Sequence, residues 1–230
     1  MISRLATIIR LIVIVTAVPL ILISTNVRCV VNASALYSYG FEKYDIDDVT
    51  GIEMDQLRMA GGQIRDYFDD DSELITVKVK RYGEAVPNIY SEREVLHMKD
   101  VKNLLGLVYS LQIIALIVGS LGIATGLAMR EKASLARSIR WVCRGGGVTL
   151  GITILVGLLA LGGFDKLFLY FHLISFDNDL WLLDPSKDLL IMMFPQEFFF
   201  DATILIVSAT VLEAIALWFA PIVIRKFWNI

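Results

Sequence analysis

The sequence is poor in the residues on which covalent links and metal sites depend. It has only two cysteines and two histidines among 230 residues, and two cysteines cannot form a disulfide framework. The net charge is only -3, so no strong field attracts nucleic acid. Phosphate loops, Gly-x-Ser-x-Gly elbows, His-Glu-x-x-His and Cys-x-x-Cys motifs are absent from the sequence, so it lacks these signals of common hydrolases and metal enzymes.

Apolar residues are abundant instead, at 56% of the chain, and they form four long runs. These runs cover residues 5–24, 104–129, 145–163 and 202–224. Each is close to or above the roughly 20 residues that a helix needs to cross a bilayer, and a segment in lipid must satisfy its own backbone hydrogen bonds. We therefore predict an α-helical integral membrane protein with four transmembrane helices.

Charged residues are distributed unevenly around these runs. One side carries a single acidic residue, Glu131, and nine basic ones, which are Arg4, Arg10, Arg130, Lys132, Arg137, Arg140, Arg144, Arg225 and Lys226. The other side carries 12 basic and 22 acidic residues. Because basic residues accumulate in cytoplasmic loops, both termini are predicted to be cytoplasmic and the two large loops extracytoplasmic.

The runs and the charges together predict the domain organisation. It consists of a first transmembrane helix (1–24), an extracytoplasmic cap (25–103), a second helix (104–129), a cytoplasmic basic loop (130–144), a third helix (145–163), an aromatic-rich extracytoplasmic interfacial segment (164–201), and a fourth helix with a basic cytoplasmic tail (202–230). The alternative for the first run is a cleaved signal peptide, with cleavage after Ala33-Ser34-Ala35. That site lies about eleven residues beyond the apolar run, which favours a retained anchor.

The cap is predicted to be a small α+β unit. Apolar residues recur at helical spacing between 52 and 68, and Gly61-Gly62 weakens that helix. Alternating residues at 75–80 predict a strand, and Tyr82-Gly83-Glu84 predicts the turn after it. Cys29 falls in the cap and Cys143 in the cytoplasmic loop, so the two cannot pair.

A capping box precedes the second apolar run. Ser91 supplies the N-cap hydroxyl and Glu94 follows three residues later, which predicts a helix that continues into the membrane. His97 lies on this helix, seven residues before the run begins and therefore about 10 Å above it. Arg93 and Asp100 share its face. The alternative is a solvated helix with an incidental histidine.

The segment 164–201 combines aromatic and acidic side chains. It holds 10 of the chain's 24 aromatic residues, and an aromatic belt at the membrane interface explains the rings but not the acidic residues. His172 lies here, so both histidines are predicted to lie outside, near the membrane, where imidazole can perform acid–base chemistry. Asp184-Pro185 predicts the start of a short helix that ends near Phe194, and Pro195 predicts the start of the last span.

The small residues of the apolar runs are assigned to packing, and for Glu213 a structural role is favoured over a catalytic one. Small-residue motifs at 122–126 and 147–151 predict a close approach of the second and third helices. Glu213 lies roughly 16 Å into the fourth span. We expect it to face inward and to be either protonated or hydrogen bonded, with Gln112 as the candidate partner.

Two segments resemble the signatures of a bacterial family of four-helix membrane proteins, the lipoprotein intramolecular transacylases. The first is Ser91–Val101, and the second joins Phe171-His172, Phe176–Trp181, Asp184-Pro185, Asp188–Ile191 and Phe194–Phe199. The resemblance implies that His97 and His172 are catalytic. The supporting or substrate-binding residues that it implies are Arg93, Asp100, Phe171, Phe176, Asn178, Trp181, Asp188, Pro195 and Phe198.

The resemblance also implies a reaction. An acyl chain moves from the sn-2 glyceryl ester to the α-amino group of the N-terminal cysteine of a diacylglyceryl lipoprotein, which gives a lyso-form lipoprotein. The implied site is at the extracytoplasmic face of the bacterial plasma membrane, and the implied partners are this substrate and membrane lipid. No cofactor or metal is expected, because conversion of an ester to an amide is downhill.

The roles of the two histidines are assigned provisionally. His97 is predicted to be the general base because Asp100 could orient it, and His172 then donates to the oxyanion or the leaving group. Two other functions remain open on the sequence alone. One is a non-enzymatic membrane protein whose cap binds an extracytoplasmic partner, and the other is a metal-dependent membrane hydrolase.

Transacylase activity should resist chelators, because His97 and His172 lack the spacing of a metal-binding motif. The measurement is formation of N-acylated lyso-lipoprotein by purified protein before and after treatment with EDTA. Loss of the product with EDTA and its recovery with zinc would favour the metal-dependent hydrolase instead.

Overall fold

The computed structural model describes residues 4–129 and 132–228, and it describes their side chains except at 132 and 220–228. Arg130 and Glu131 of the predicted basic loop lie outside the described residues, as do the side chains of Lys132, Arg225 and Lys226. The elements are α1 (Arg4–Val31), α2 (Ser34–Lys43), α3 (Ile46–Thr50), α4 (Met54–Asp69), β1 (Val79–Arg81), β2 (Glu84–Val86), α5 (Glu92–Ala128), α6 (Lys132–Ser175), α7 (Leu189–Met193) and α8 (Gln196–Trp228).

Four of these helices are long and apolar enough to cross a membrane, namely α1, α5, α6 and α8. They contain 28, 37, 44 and 33 residues, all above the roughly 20 that a span needs. The predicted fold class, a four-helix membrane protein with a small α+β cap, is confirmed.

The ends of these helices differ from the ends of the apolar runs. The sequence predicts a loop at 130–144, whereas in the structure residues 132–144 are helical and form the start of α6. The physical reason is that basic residues decide the side of the membrane but do not end a helix. No glycine or proline occurs between residues 132 and 144, so nothing there interrupts helical hydrogen bonding.

The aromatic segment is more helical at its start and less helical in its middle than predicted. Helix α6 has non-helical angles at Gly163 (φ 164°, ψ 77°) and then continues to Ser175. The predicted helix from Pro185 is wrong, because α7 begins only at Leu189. The Asp188 carboxylate accepts a hydrogen bond from the Asp184 N–H at 2.7 Å, which closes a turn at that point. Helix α8 begins directly after Pro195, as predicted.

The cap contains the predicted helix and a shorter hairpin than predicted. Helix α4 forms despite Gly61-Gly62, and a Cβ on Gly61 would lie 3.3 Å from the Tyr37 ring, so the small residue permits close packing of α2. Strands β1 and β2 pair through a turn at Tyr82-Gly83, where both residues have positive φ angles. This turn suits the twist of a hairpin.

The chain before β1 is extended but does not pair with another strand. Ile75, Val77 and Val79 alternate into the core and are at most 5% exposed. The side-chain amide of Gln63 donates to the Lys78 carbonyl and accepts from the Lys78 N–H, both at 2.9 Å. The side chain of Gln63 on α4 therefore forms the hydrogen bonds that a neighbouring strand would form at Lys78. This explains why the observed strand is shorter than the predicted one.

The chain divides into two compact units. One comprises residues 1–28, 108–159 and 204–230, and the other comprises 29–107 and 160–203. The second unit has its own apolar core, whose fully buried side chains include Phe41, Ile46, Ile52, Leu57, Ile64, Ile75, Val77 and Met193. Both histidines belong to this second unit.

In the first unit, Glu213 has a different partner from the one predicted. Asn26 donates to its Oε2 at 2.7 Å, whereas Gln112 donates to Thr25 at 2.8 Å. The side chain of Glu213 is also exposed rather than inward-facing. Its partner lies on α1, which sequence spacing within the fourth span could not indicate.

The small-residue motifs do contact other helices, but these are mostly not the predicted pair, the second and third transmembrane helices. A Cβ on Gly122 would lie 3.1 Å from Ile14 of α1, and a Cβ on Gly147 would overlap the Trp218 ring of α8. Only Gly126, beside Ser138, brings α5 close to α6 in the predicted way. The motif at 147–151 is therefore not a contact between the second and third helices.

Candidate active site

His97 is placed by the start of α5. The capping box is confirmed, because the Glu94 carboxylate accepts a hydrogen bond from the Ser91 N–H at 2.7 Å and the Ser91 hydroxyl accepts one from the Glu94 N–H at 3.4 Å. The helix then runs without interruption to Ala128. His97 lies one turn beyond Glu94 and is only 7% exposed, so it is not a solvated surface residue.

His172 lies on the part of α6 that follows Gly163 and is also 7% exposed. Its ring stacks towards that of His97, with the centroids 6.1 Å apart and an interplanar angle of 30°. The structure thus brings together the only two histidines of the chain.

Aromatic rings surround this pair. Phe176 lies 5.2 Å from the His97 ring and 5.7 Å from the His172 ring, measured between centroids. Trp181 lies 5.0 Å from the His172 ring, and Phe171 lies 5.3 Å from it. Three of the predicted supporting residues are therefore in direct contact with a histidine.

The hydrogen bonds of the two imidazoles differ. His172 Nδ1 donates to the Phe168 carbonyl oxygen at 2.7 Å, and since a carbonyl can only accept, this nitrogen carries the proton. The Nε2 atom of neutral His172 then holds a lone pair. His97 Nδ1 is buried and has no hydrogen-bond partner among the described residues.

Burial lowers the pKa of both histidines, which lie outside the apolar runs 104–129 and 145–163. Desolvation is the main cause for His97 and brings its pKa to about 4, with His172 lowering it further and Asp100 opposing the change. Desolvation also lowers the pKa of His172, and its hydrogen bond to Phe168 opposes the change. Both rings are consequently neutral at pH 7.

The polar residues near His97 form hydrogen bonds with residues 178–180 rather than with the imidazole. Arg93 donates to the carbonyl oxygens of Asp179 and Leu180. The Asp100 carboxylate accepts a hydrogen bond from the Asn178 side chain at 2.8 Å. Arg93, Asp100 and Asn178 thus meet close to His97, but Asp100 makes no hydrogen bond to His97 among the described residues.

Three other predicted residues lie away from the histidine rings. Asp188 closes the turn described above, and Pro195 precedes α8. Phe198 packs against Tyr37 at 6.0 Å and Phe194 at 5.1 Å, measured between ring centroids. Of the ring contacts in the described part of the chain, Phe198 has none with His97 or His172.

Sequence reasoning missed Phe168 and the second role of Glu94. Phe168 accepts the hydrogen bond from His172 and places its ring 4.4 Å from the imidazole. It lies four residues before His172, so a helix predicted beyond Gly163 would have placed it on the same face. Glu94 also accepts a hydrogen bond from the Leu190 N–H at 2.7 Å, a contact that no local pattern indicates.

The histidines do not belong to a larger group of potential metal ligands. Within the ranges 4–129 and 132–228, the structure has no set of three or more His, Cys, Asp or Glu residues that could hold a metal ion.

Comparisons with known proteins identify a family. The sequence model of the family described as "Lipoprotein intramolecular transacylase Lit" matches residues 12–199. An uncharacterized protein of Aquifex aeolicus strain VF5 is 28% identical over 138 residues, which are 60% of this chain and 59% of that protein. The match to this relative thus covers about three fifths of its length.

Solved structures show the same fold. The in meso structure of the membrane integral lipoprotein intramolecular transacylase Lit from Bacillus cereus has a TM-score of 0.82, with 20% identity over 97% of this chain and 98% of that chain. A variant of the Bacillus cereus protein with one histidine replaced by alanine has a TM-score of 0.76, at 20% identity over 96% of this chain and 94% of that one. At this identity, the likeness shows the fold alone.

Acidification from pH 7 to pH 5 should lower the melting temperature through His97. An unfolded histidine takes up a proton near pH 6.5, whereas folded His97 does so only near pH 4. The unfolded state therefore binds more protons in this window, and lower pH favours unfolding. The measurement is the Tm in detergent at pH 7, 6 and 5 for the wild type and His97→Gln. Between pH 7 and pH 5 the Tm of the variant should fall by less than that of the wild type. An equal decrease in Tm for both proteins would contradict the low pKa of His97.

Proposed function

This chain belongs to the lipoprotein intramolecular transacylase family, and from that premise we propose that it transfers an acyl chain within a diacylglyceryl lipoprotein. The chain leaves the sn-2 glyceryl ester and is attached to the α-amino group of the N-terminal cysteine, which gives a lyso-form lipoprotein with an N-acyl chain. The observation that carries this proposal is the pair of buried histidines, 6.1 Å apart, under aromatic rings.

The geometry of the reaction explains why a rigid site is required. The ring formed during attack contains the amine nitrogen, Cα, Cβ, the sulfur, two glyceryl carbons, the ester oxygen and the acyl carbon. An eight-membered ring is unfavourable, so catalysis depends mainly on holding the amine against the ester. Histidines carried by two long helices and enclosed by Phe176 and Trp181 meet this requirement.

The hydrogen bonds support an exchange of the two provisional roles. We assign His172 as the base, because the Phe168 carbonyl fixes its proton on Nδ1 and leaves the Nε2 lone pair for the ammonium proton of the substrate. Asp100, the residue expected to orient His97 as the base, is hydrogen bonded to Asn178 instead. His97 then donates its N–H to the developing oxyanion, and the proton that His172 takes from the attacking amine passes to the departing glyceryl oxygen.

The surface beside the histidines suits the acyl chains of this substrate. Phe171, Ile174 and Leu182 are 48%, 84% and 54% exposed, although all three are apolar. Phe171 contacts the His172 ring directly. An acyl chain lying on these side chains would present its ester to the two imidazoles while the remainder of the chain stays in an apolar environment.

We propose that the site lies at the extracytoplasmic face, near the membrane surface. His97 precedes the apolar run of α5 by seven residues, or about 10 Å of helix. The opposite side of the four runs carries nine basic residues and one acidic residue, whereas the side of the histidines carries 12 basic and 22 acidic residues. This imbalance supports a cytoplasmic location for the opposite side.

The orientation is tested with the two cysteines. A membrane-impermeant thiol reagent added to intact spheroplasts should label Cys29, which is exposed, and should not label Cys143. The matched controls are single-cysteine variants in which the other cysteine is replaced by serine. Labelling of Cys143 alone would place the site on the cytoplasmic side.

Replacement of either histidine by alanine should abolish the N-acylated lyso-product. Both steps of proton transfer are assigned to these two side chains, which are the only imidazoles in the chain. Mass spectrometry of lipoprotein N-termini from cells with each variant measures the product, and the amount of membrane-inserted protein is the control. Full activity of His97→Ala or His172→Ala would contradict the histidine pair, and unmodified N-termini with the wild type would favour a non-enzymatic protein.

Truncation of Trp181 should divert the acyl chain to water. Its ring covers His172, so Trp181→Ala opens a dry site beside an activated ester and should release free fatty acid. The measurement is the ratio of fatty acid to N-acylated peptide per folded enzyme. Tyr170→Ala is the matched control, because Tyr170 is an exposed aromatic residue of the same segment. If Trp181 belongs only to an aromatic belt, the ratio will stay at the wild-type value in both variants.

A further inference from the structure

The carboxylate of Glu94 joins two separate parts of the second unit. Its side chain is only 2% exposed. One oxygen accepts a hydrogen bond from the Ser91 N–H and the other from the Leu190 N–H, both at 2.7 Å. Hydrogen bonds to an ionised carboxylate are among the strong ones in proteins. Glu94 therefore caps α5 and fixes the start of α7 at the same time.

The position of this contact relates it to the histidines. Glu94 lies three residues before His97 on α5, and Leu190 follows the loop 176–188. This loop carries Phe176 and Trp181 onto the imidazole rings. Its first residue follows directly on α6, so Glu94 fixes the other end of the loop to the helix that carries His97.

The remaining polar contacts of the loop are weaker restraints. Arg93 and Asn178, which hold the middle of the loop, are exposed side chains. Exposed polar contacts compete with water and contribute little to holding a geometry. The buried carboxylate is consequently the polar contact best placed to define how far Trp181 lies from the histidines.

We propose that Glu94 is a positioning residue for acyl transfer, acting through Leu190 and the loop on the aromatic cover of the histidine pair. The inference rests on the proposed function, and it assigns to Glu94 the balance between transfer to the amine and loss of the acyl chain to water. Glu94 has no contact with substrate in this role.

Replacement Glu94→Gln tests the inference, because glutamine has nearly the same size but only one acceptor oxygen. One of the two N–H groups loses its acceptor and faces an amide NH₂ group. We expect kcat for N-acyl transfer to a synthetic diacylglyceryl peptide to fall about 10²-fold, the effect of a displacement of about 1 Å at a reacting centre. KM should change little, and the ratio of free fatty acid to N-acylated peptide should rise.

Glu92→Gln is the matched control. It removes the same charge from the same turn of α5, at an exposed position, and should leave kcat and the product ratio at wild-type values. Hydrogen exchange supplies a readout that does not depend on activity. The Leu190 amide should exchange faster in Glu94→Gln than in the wild type and Glu92→Gln.

The outcomes separate this inference from the proposed function. A Glu94→Gln protein with a lower Tm but wild-type kcat and product ratio overturns the inference, because the carboxylate would then stabilise the fold only. A wild-type protein that forms no N-acylated product overturns the proposed function. If Glu94→Gln does not fold, Glu94→Asp replaces it. Aspartate is too short to reach both N–H groups, so wild-type kcat in that variant would equally overturn the inference.

Discussion

A helix in lipid has to satisfy its own backbone hydrogen bonds, and the candidate site depends on this constraint. Helix α5 continues without interruption beyond its apolar run to carry His97, and α6 is helical again after its non-helical Gly163 and carries His172. A side chain on a continuous helix has a position fixed by a rise of about 1.5 Å per residue. Functional groups on such elements are held more accurately than groups on loops. The two histidines thus lie on helices, beside the irregular loop 176–188.

The cost of leaving a buried polar group without a partner explains the other polar contacts. Arg10, 9% exposed, donates to the Gly122 carbonyl at 3.1 Å and to Ser138 at 3.0 Å. In the second unit, the Glu94 carboxylate and His172 Nδ1 are satisfied by backbone groups. His97 Nδ1, by contrast, is one of the buried side-chain atoms that have no hydrogen-bond partner within the described residues. Native structures retain few such groups, and those that they retain call for an explanation. Recognition of a substrate polar atom at this nitrogen is the explanation that the proposed reaction provides.

Features that depend on local patterns were predictable from the sequence, and features that depend on distant contacts were not. The four apolar helices and the capping box at Ser91 follow from hydropathy and from residues three positions apart. The helix from Lys132 was missed because charge reports the side of the membrane and not the end of a helix. The contact of Glu94 with Leu190 joins residues far apart in the chain, and no periodicity encodes it. The histidines could be selected by their chemistry, but their separation of 6.1 Å could not be derived from spacing.

The absence of a carboxylate on either histidine, within the described residues, bears on the choice between amine and water. In a Ser-His-Asp triad, an aspartate stabilises the imidazolium ion and strengthens the base. Here Asp100 is hydrogen bonded to Asn178, and burial lowers the pKa of His97 to about 4. An α-amino group has a pKa of about 7.7–8.0, so its neutral form is accessible near pH 7 and attacks without a strong base. Water has a pKa of about 15.7 and needs one. In the proposed reaction, a pair of weakly basic histidines under an aromatic cover would therefore favour transfer to the amine through its chemistry as well as through the exclusion of water.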